Sequence, residues 1–173
     1  NPMGHGTYVQ TYTEAIQKFT LNNSGATLSY SGYEKITDPI HLHRRDYNLL
    51  SHIFPDGSEG LVISSGVFQP FVDLPFLYPV EIKEDGYVAK TEFNQYLNNY
   101  HTAHTNIYDS LENKMTSLFF GGISQYYYVD GALHQDDFVP FVNTISGISR
   151  DNSGNLTEFY IPTGMPGYKG SSA

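Results

Sequence analysis

The chain has 173 residues, 18 acidic against 9 basic side chains, a formal charge of −9 and no cysteine. The missing cysteines exclude disulfides, thiolate metal sites and a cysteine nucleophile. Scattered basic residues, paired only at Arg44-Arg45, argue against a nucleic-acid partner, which needs clustered positive charge.

With 15 tyrosines and 11 phenylalanines, the chain favours strands over disorder. No apolar run of about 18 residues is present, so no membrane span is expected. The first predicted element is a strand-turn-strand unit over 15–31. It recurs without gaps over 144–160, where Ile16 meets Ile145, Phe19 meets Ile148, Tyr30 meets Phe159, and Asn23-Ser24-Gly25 meets Asn152-Ser153-Gly154.

Four strand candidates follow near 41–54, 59–69, 76–84 and 87–95, with Leu61 and Ile63 alternating against Val62 and Ser64. A looser copy of the hairpin lies at 80–88, with Asp85-Gly86 as the turn pair that tolerates positive φ. Landmarks then repeat in order. His43-x3-Tyr47-Asn48 answers His104-x3-Tyr108-Asp109, Ser65-Gly66 answers Gly121-Gly122, and Leu74-Pro75-Phe76-Leu77 answers Val139-Pro140-Phe141-Val142.

Four strands repeated about every 60 residues predict β-propeller blades, because such a sheet buries its faces only against neighbouring blades. The expected fold is all-β: a partial propeller of about two and a half four-stranded antiparallel blades. Residues 1–40 end one blade, 41–100 and 101–161 form two more, and 162–173 start the next. A single antiparallel sandwich has similar strand spacing but does not predict three hairpins matched in order. A closed ring needs about 4 to 8 blades, so further blades of a parent chain, or other copies, are expected partners. The start at Asn1-Pro2 and the end at Gly170-Ser171-Ser172-Ala173 point to a processed or truncated piece.

At Leu118-Phe119-Phe120-Gly121-Gly122 the chain resembles the kelch signature, a hydrophobic strand ending in paired glycines; Ser64-Ser65-Gly66 and Gly4-His5-Gly6 look like degraded versions. Over nearly its whole length it is similar to kelch-like propeller segments of secreted Bacteroidota proteins. Blocks such as His43-Arg44-Arg45-Asp46-Tyr47-Asn48, Ile53-Phe54-Pro55-Asp56-Gly57 and Ser64-Ser65-Gly66-Val67-Phe68-Gln69 carry that resemblance. It departs from typical kelch repeats in having no tryptophan and longer blades. The resemblance implies an extracellular or cell-surface location.

Among residues that could carry chemistry, His41 and His43 share one face of the expected strand, and His101 and His104 lie at the equivalent edge of the next blade. No Glu or Asp completes a zinc spacing with them, so no metal is expected. Arg44, Arg45 and Asp46 read as a local pair. The oxygen-rich run from Asp151 to Asn155 lacks the glutamate that closes a calcium loop and reads as a turn. No serine elbow, phosphate loop or dinucleotide fingerprint is present, and no cofactor is expected.

The strongest binding candidates are the loops between the second and third strands of each blade, 69–74 and 125–139, which gather at one rim. The first carries Phe71 and Asp73; the second carries Tyr126, Tyr127, Tyr128, Asp130, His134, Asp136 and Asp137. Aromatic faces beside carboxylates suit a sugar or peptide. The expected role is a non-catalytic recognition or scaffold module that contacts a protein or glycan. One alternative is a glycan-acting enzyme with acid and base among Asp73, Asp136 and Asp137, which needs two carboxylates about 5 to 9.5 Å apart. The other is a self-assembling surface or filament repeat.

Overall fold

The computed structural model describes residues 11–166, and these are all-β. They divide between Arg44 and Arg45 into two compact units. The glycines at Gly4-His5-Gly6 and the end of the tail lie outside the described residues.

In the first unit, β1 (Ala15–Ser24) and β2 (Thr27–Thr37) form an antiparallel hairpin whose register closes at Ser24 opposite Thr27. Gly25 takes the left-handed conformation this two-residue turn requires, φ 82°. Both strands are largely exposed. Phe19, Tyr30 and Tyr33 form an edge-to-face series with centroids 5.9 and 6.4 Å apart.

The strand expected from residue 41 does not begin there. Asp38 Oδ1 accepts from the backbone N–H groups of Ile40 and His41, which turns the chain. His41 therefore sits in that turn, and His43 stacks on Tyr12 at 4.0 Å. The shared strand face for His41 and His43 is thus corrected.

The second unit contains two four-stranded antiparallel sheets, each a meander in chain order. The first is β3 (Asn48–Ile53), β4 (Glu59–Ser64), β5 (Val80–Lys83) and β6 (Gly86–Ala89). The second is β7 (Ala103–Asp109), β8 (Lys114–Ile123), β11 (Phe141–Arg150) and β12 (Leu156–Ile161). A separate small hairpin, β9 (Tyr126–Val129) and β10 (Ala132–Gln135), stands between β8 and β11 in the chain. Among the described residues no sheet closes on itself.

The matched glycine positions correspond in backbone geometry. Ser65 and Gly66 have φ of 55° and 96°, and Gly121 and Gly122 have 66° and 88°. Each pair follows a residue that faces the first strand of its sheet, Ser64 opposite Asn48 and Phe120 opposite Ala103. The same register corrects the histidine landmark: Asn48 answers Ala103, so His43 and His104 are not equivalent. A Cβ on Gly122 would stand 2.6 Å from both the Tyr100 carbonyl oxygen and Thr102 Cβ. Gly122→Ala, strained in φ and clashing with backbone, is expected to cost about 1–3 kcal/mol, read as a lower urea midpoint.

The turn of the middle hairpin is also corrected. Lys83 pairs with Gly86, which leaves Glu84-Asp85 as the central residues and places Gly86 after them, where a type I turn favours glycine. The 151–155 stretch is a turn, as expected: the Asp151 carboxylate accepts from the backbone of Ser153 and Asn155 and from the Asn155 side chain.

The two sheets pack face to face. Leu50, Phe54 and Val62 from the first meet Phe119 and Ile148 from the second, with Phe93 and Leu156 at the margin. Alternation on β3 sends Leu50 inward and Leu49 outward. Phe119 is wholly buried, and the void lined by Leu50, His52, Val62 and Ile148 measures only about 20 Å³. Burial of each large apolar side chain contributes about 1.5–3 kcal/mol.

Beside this core Arg150 of β11 reaches the first sheet. Its guanidinium pairs with the Glu81 carboxylate, donates to His52 Nε2 at 2.9 Å and lies over the Phe54 ring. Arg150 and Glu81 are 5% and 12% exposed, so the pair is desolvated.

Candidate functional site

The connection between the sheets, residues 90–102, buries polar side chains in its middle. Gln95, Asn98 and Asn99 are fully buried, and hydrogen bonds to the Gln95 and Asn99 amides and to the Asn98 side-chain oxygen offset the cost, while Asn98 Nδ2 is left without a partner among the described residues. Asn99 Nδ2 donates to the Gly121 carbonyl at 2.6 Å, and Asn99 Oδ1 accepts from Ser146. Asn48 donates to the Asn99 carbonyl, and Gln95 bonds Ser64.

Asn98 joins the ends of β4 and β8. Ser65 Oγ donates to its carbonyl at 2.5 Å, and its side-chain oxygen accepts from Ser124 Oγ at 3.0 Å and from the Gln125 N–H at 3.2 Å. The loops that leave β4 and β8 therefore start side by side. Both expected binding loops thus start beside one residue, Asn98, at the rim where β4 and β8 end.

At that rim the ends of β8 and β11 and the β9–β10 hairpin enclose an open cleft of about 850 Å³. Phe120, Pro140, Phe141 and Val142 line it from the sheet, Tyr127 and Val129 from the hairpin, and Met165 from the chain beyond β12. Polar groups enter through His101, Thr102 and Asn143. The Met165 N–H donates to the Asn143 carbonyl at 2.7 Å, which holds that side. The surface is mainly apolar with a few polar groups, the usual make-up of a ligand site.

Backbone strain gathers here. His101 has φ 50° and Val139 φ 51°, the latter costly for a β-branched residue. The Val139 N–H bonds the Asp136 carbonyl at 3.1 Å, and Pro140 follows.

The expected site residues have different fates. Tyr127 lines the cleft and stacks on His134, centroids 5.9 Å apart. Tyr126 packs against Tyr96, and its phenol is raised above its ordinary pKa by burial, then by Tyr96 and Asp137. Tyr128 points away and stacks on Tyr160 at 3.7 Å, in a shallow depression on the other side of the hairpin. Asp130 and Gly131 form the hairpin turn, both at positive φ. Asp136 accepts from the Phe138 N–H. Asp137 accepts from the Gln125 and Gln135 amides, which hold its carboxyl below the usual range, the wrong direction for a general acid. Phe71 is 94% exposed at the tip of its loop, and neither it nor Asp73 lines the cleft.

His101 lines the cleft, while His104 Nδ1 lies 3.4 Å from the Thr102 carbonyl. Among the described residues no three of His, Cys, Asp or Glu are grouped to hold a metal.

Sequence reasoning passed over Phe141, Val142, Val129 and Met165. The repeated Val139-Pro140-Phe141-Val142 block was the signal for the first two, since it marks where β11 begins. Phe138, 97% exposed, was also passed over. Compared with family models, curated proteins and solved structures, the chain matches none.

Proposed function

We propose that the chain is a non-catalytic recognition module, a segment of a kelch-like propeller in an exported or cell-surface protein, and that it holds a protein partner in the cleft beneath the β9–β10 hairpin. The observation that carries this reading is the cleft: a mainly apolar surface, open to solvent, framed by strand ends that the buried Asn98 and Asn99 amides hold in place. Two successive four-stranded meanders stacked face to face, with left-handed residue pairs at matching strand ends, support the blade reading. The resemblance to exported kelch-like segments supports the location.

The lining favours protein over glycan. Sugar recognition depends on polar groups placed around an aromatic face, and the carboxylates of Asp136 and Asp137 are engaged in bonds of their own loop. The test is an array of peptides and glycans probed with the intact chain and with Tyr127→Ala/Phe141→Ala. Retention on peptides, weakened at least about tenfold in the double variant, is expected, from loss of two aromatic contacts. Glycan retention alone, or equal retention by both proteins, contradicts the reading.

The exposed aromatic face of the β1–β2 hairpin favours self-assembly as a second reading. It requires concentration-dependent oligomers in sedimentation that Phe19→Ser abolishes.

A further inference from the structure

The rim has a charge character that narrows what the cleft accepts. The loops over 69–79 and 125–140 carry Asp73, Asp130, Asp136 and Asp137 and no lysine or arginine. Arg45, which precedes β3 and pairs with Val67 just beyond β4, is engaged by Asp46 at 3.4 Å and lies over the Phe68 ring. The Asp73 and Asp130 carboxylates make no hydrogen bond or ion pair among the described residues. Asp130 directly follows Val129, which lines the cleft.

Large apolar side chains of these loops stand at nearly full exposure. Phe71 and Phe138 are 94% and 97% exposed, each beside an acidic loop residue, and Phe141 reaches out from the cleft wall. Exposed apolar surface of this extent is a mark of an interaction site. Four carboxylates among such side chains repel an anionic membrane and attract a cationic polypeptide.

We infer that the occupant of the cleft is a polypeptide segment carrying Lys or Arg next to a large apolar side chain. The apolar group enters between Tyr127 and Phe141, and the cation faces the carboxylates at the rim, Asp130 foremost. This rests on the recognition role proposed above and adds the chemistry of the partner. Electrostatic attraction sets orientation and speeds encounter, while the apolar anchor supplies most of the affinity.

A random peptide library displayed on phage and selected on the intact chain tests this. Expected is enrichment of sequences that place Lys or Arg within a few positions of Phe, Tyr, Leu or Met. Affinity of a selected peptide falls roughly tenfold between about 50 and 500 mM salt and several-fold in Asp73→Asn/Asp130→Asn. Asparagine at 130 keeps the hairpin turn, because Asn-Gly suits the same left-handed pair. Enriched peptides without cations, or affinity indifferent to salt and to the double variant, overturn the inference. If Phe141→Ala still abolishes binding of such a peptide, the recognition role stands and only the cation requirement falls. No enrichment at all removes both.

Discussion

Arg150→Ala is expected to destabilise the chain by about 3–5 kcal/mol, because it leaves Glu81 as an uncompensated buried charge. The variant also removes the donor to His52 Nε2 and to the Gly154 carbonyl, and the cation over Phe54. The loss comes from breaking a pair rather than from any large net gain of having one. Arg150→Met/Glu81→Leu, which replaces both charges with apolar groups of similar bulk, is therefore expected to recover most of the stability. Urea unfolding of the three proteins checks this. Equal losses in the single and double variants would mean that Arg150 matters for its length and packing and not for the charge it neutralises.

The dependence of stability on pH should show two opposed slopes. Burial, then the nearby Arg150 charge, lowers the His52 pKa from 6.5 to about 4. Across that interval the unfolded chain takes up a proton that the folded chain refuses, so stability falls as pH drops from about 6.5 to 4. Glu158 behaves in the opposite sense. Burial raises its carboxyl to about 7, against the Leu97 and Tyr96 N–H groups that bond to it. Its contribution is complete below 4.5 and is lost as pH rises through 7.

Each shift corresponds to at most about 3 kcal/mol, reduced to about 1–3 by partial solvent access. The two slopes cancel between about 4.5 and 6.5, so the native chain is expected to be nearly flat there. Glu158→Gln leaves the His52 slope, so that stability climbs from pH 4 to 6.5. His52→Gln leaves the Glu158 slope, a decline from 4.5 to 7. Chemical unfolding of the three proteins from pH 4 to 8 checks the signs, and parallel profiles would contradict them.

Several strands and turns of the second unit could be read from the sequence because their signals are local. The alternation around Leu61 to Ser64 and the turn residues at 151–154 each constrain a few neighbouring positions. The glycine pairs were legible for a similar reason, since few residues accept positive φ at two successive positions. Strand ends were less legible. Residues 41–47 alternate like a strand, yet Asp38 caps a turn just before them. Residues 76–79 read as strand until Pro79, which has no N–H to donate to a ladder.

Only part of the cleft was visible. Tyr127 stood out as one of three tyrosines in a row, but nothing local shows that Tyr128 turns the other way to meet Tyr160, more than thirty residues later. Met165 and His101 reach the cleft through contacts distant in sequence. The salt bridge between Arg150 and Glu81 spans 69 positions and carries no pattern that spacing could reveal.

The central physical claim is that the two sheets of the second unit shield their apolar faces by stacking on each other, and so hold the cleft rigid. Amide hydrogen exchange across the intact chain tests it most directly. Amides of β3, β4, β8 and β11 should exchange at one common, slow rate and lose protection together in Phe119→Ala, while the β9–β10 hairpin exchanges sooner. Rapid exchange throughout β3–β6 while β7, β8, β11 and β12 stay protected would contradict the account.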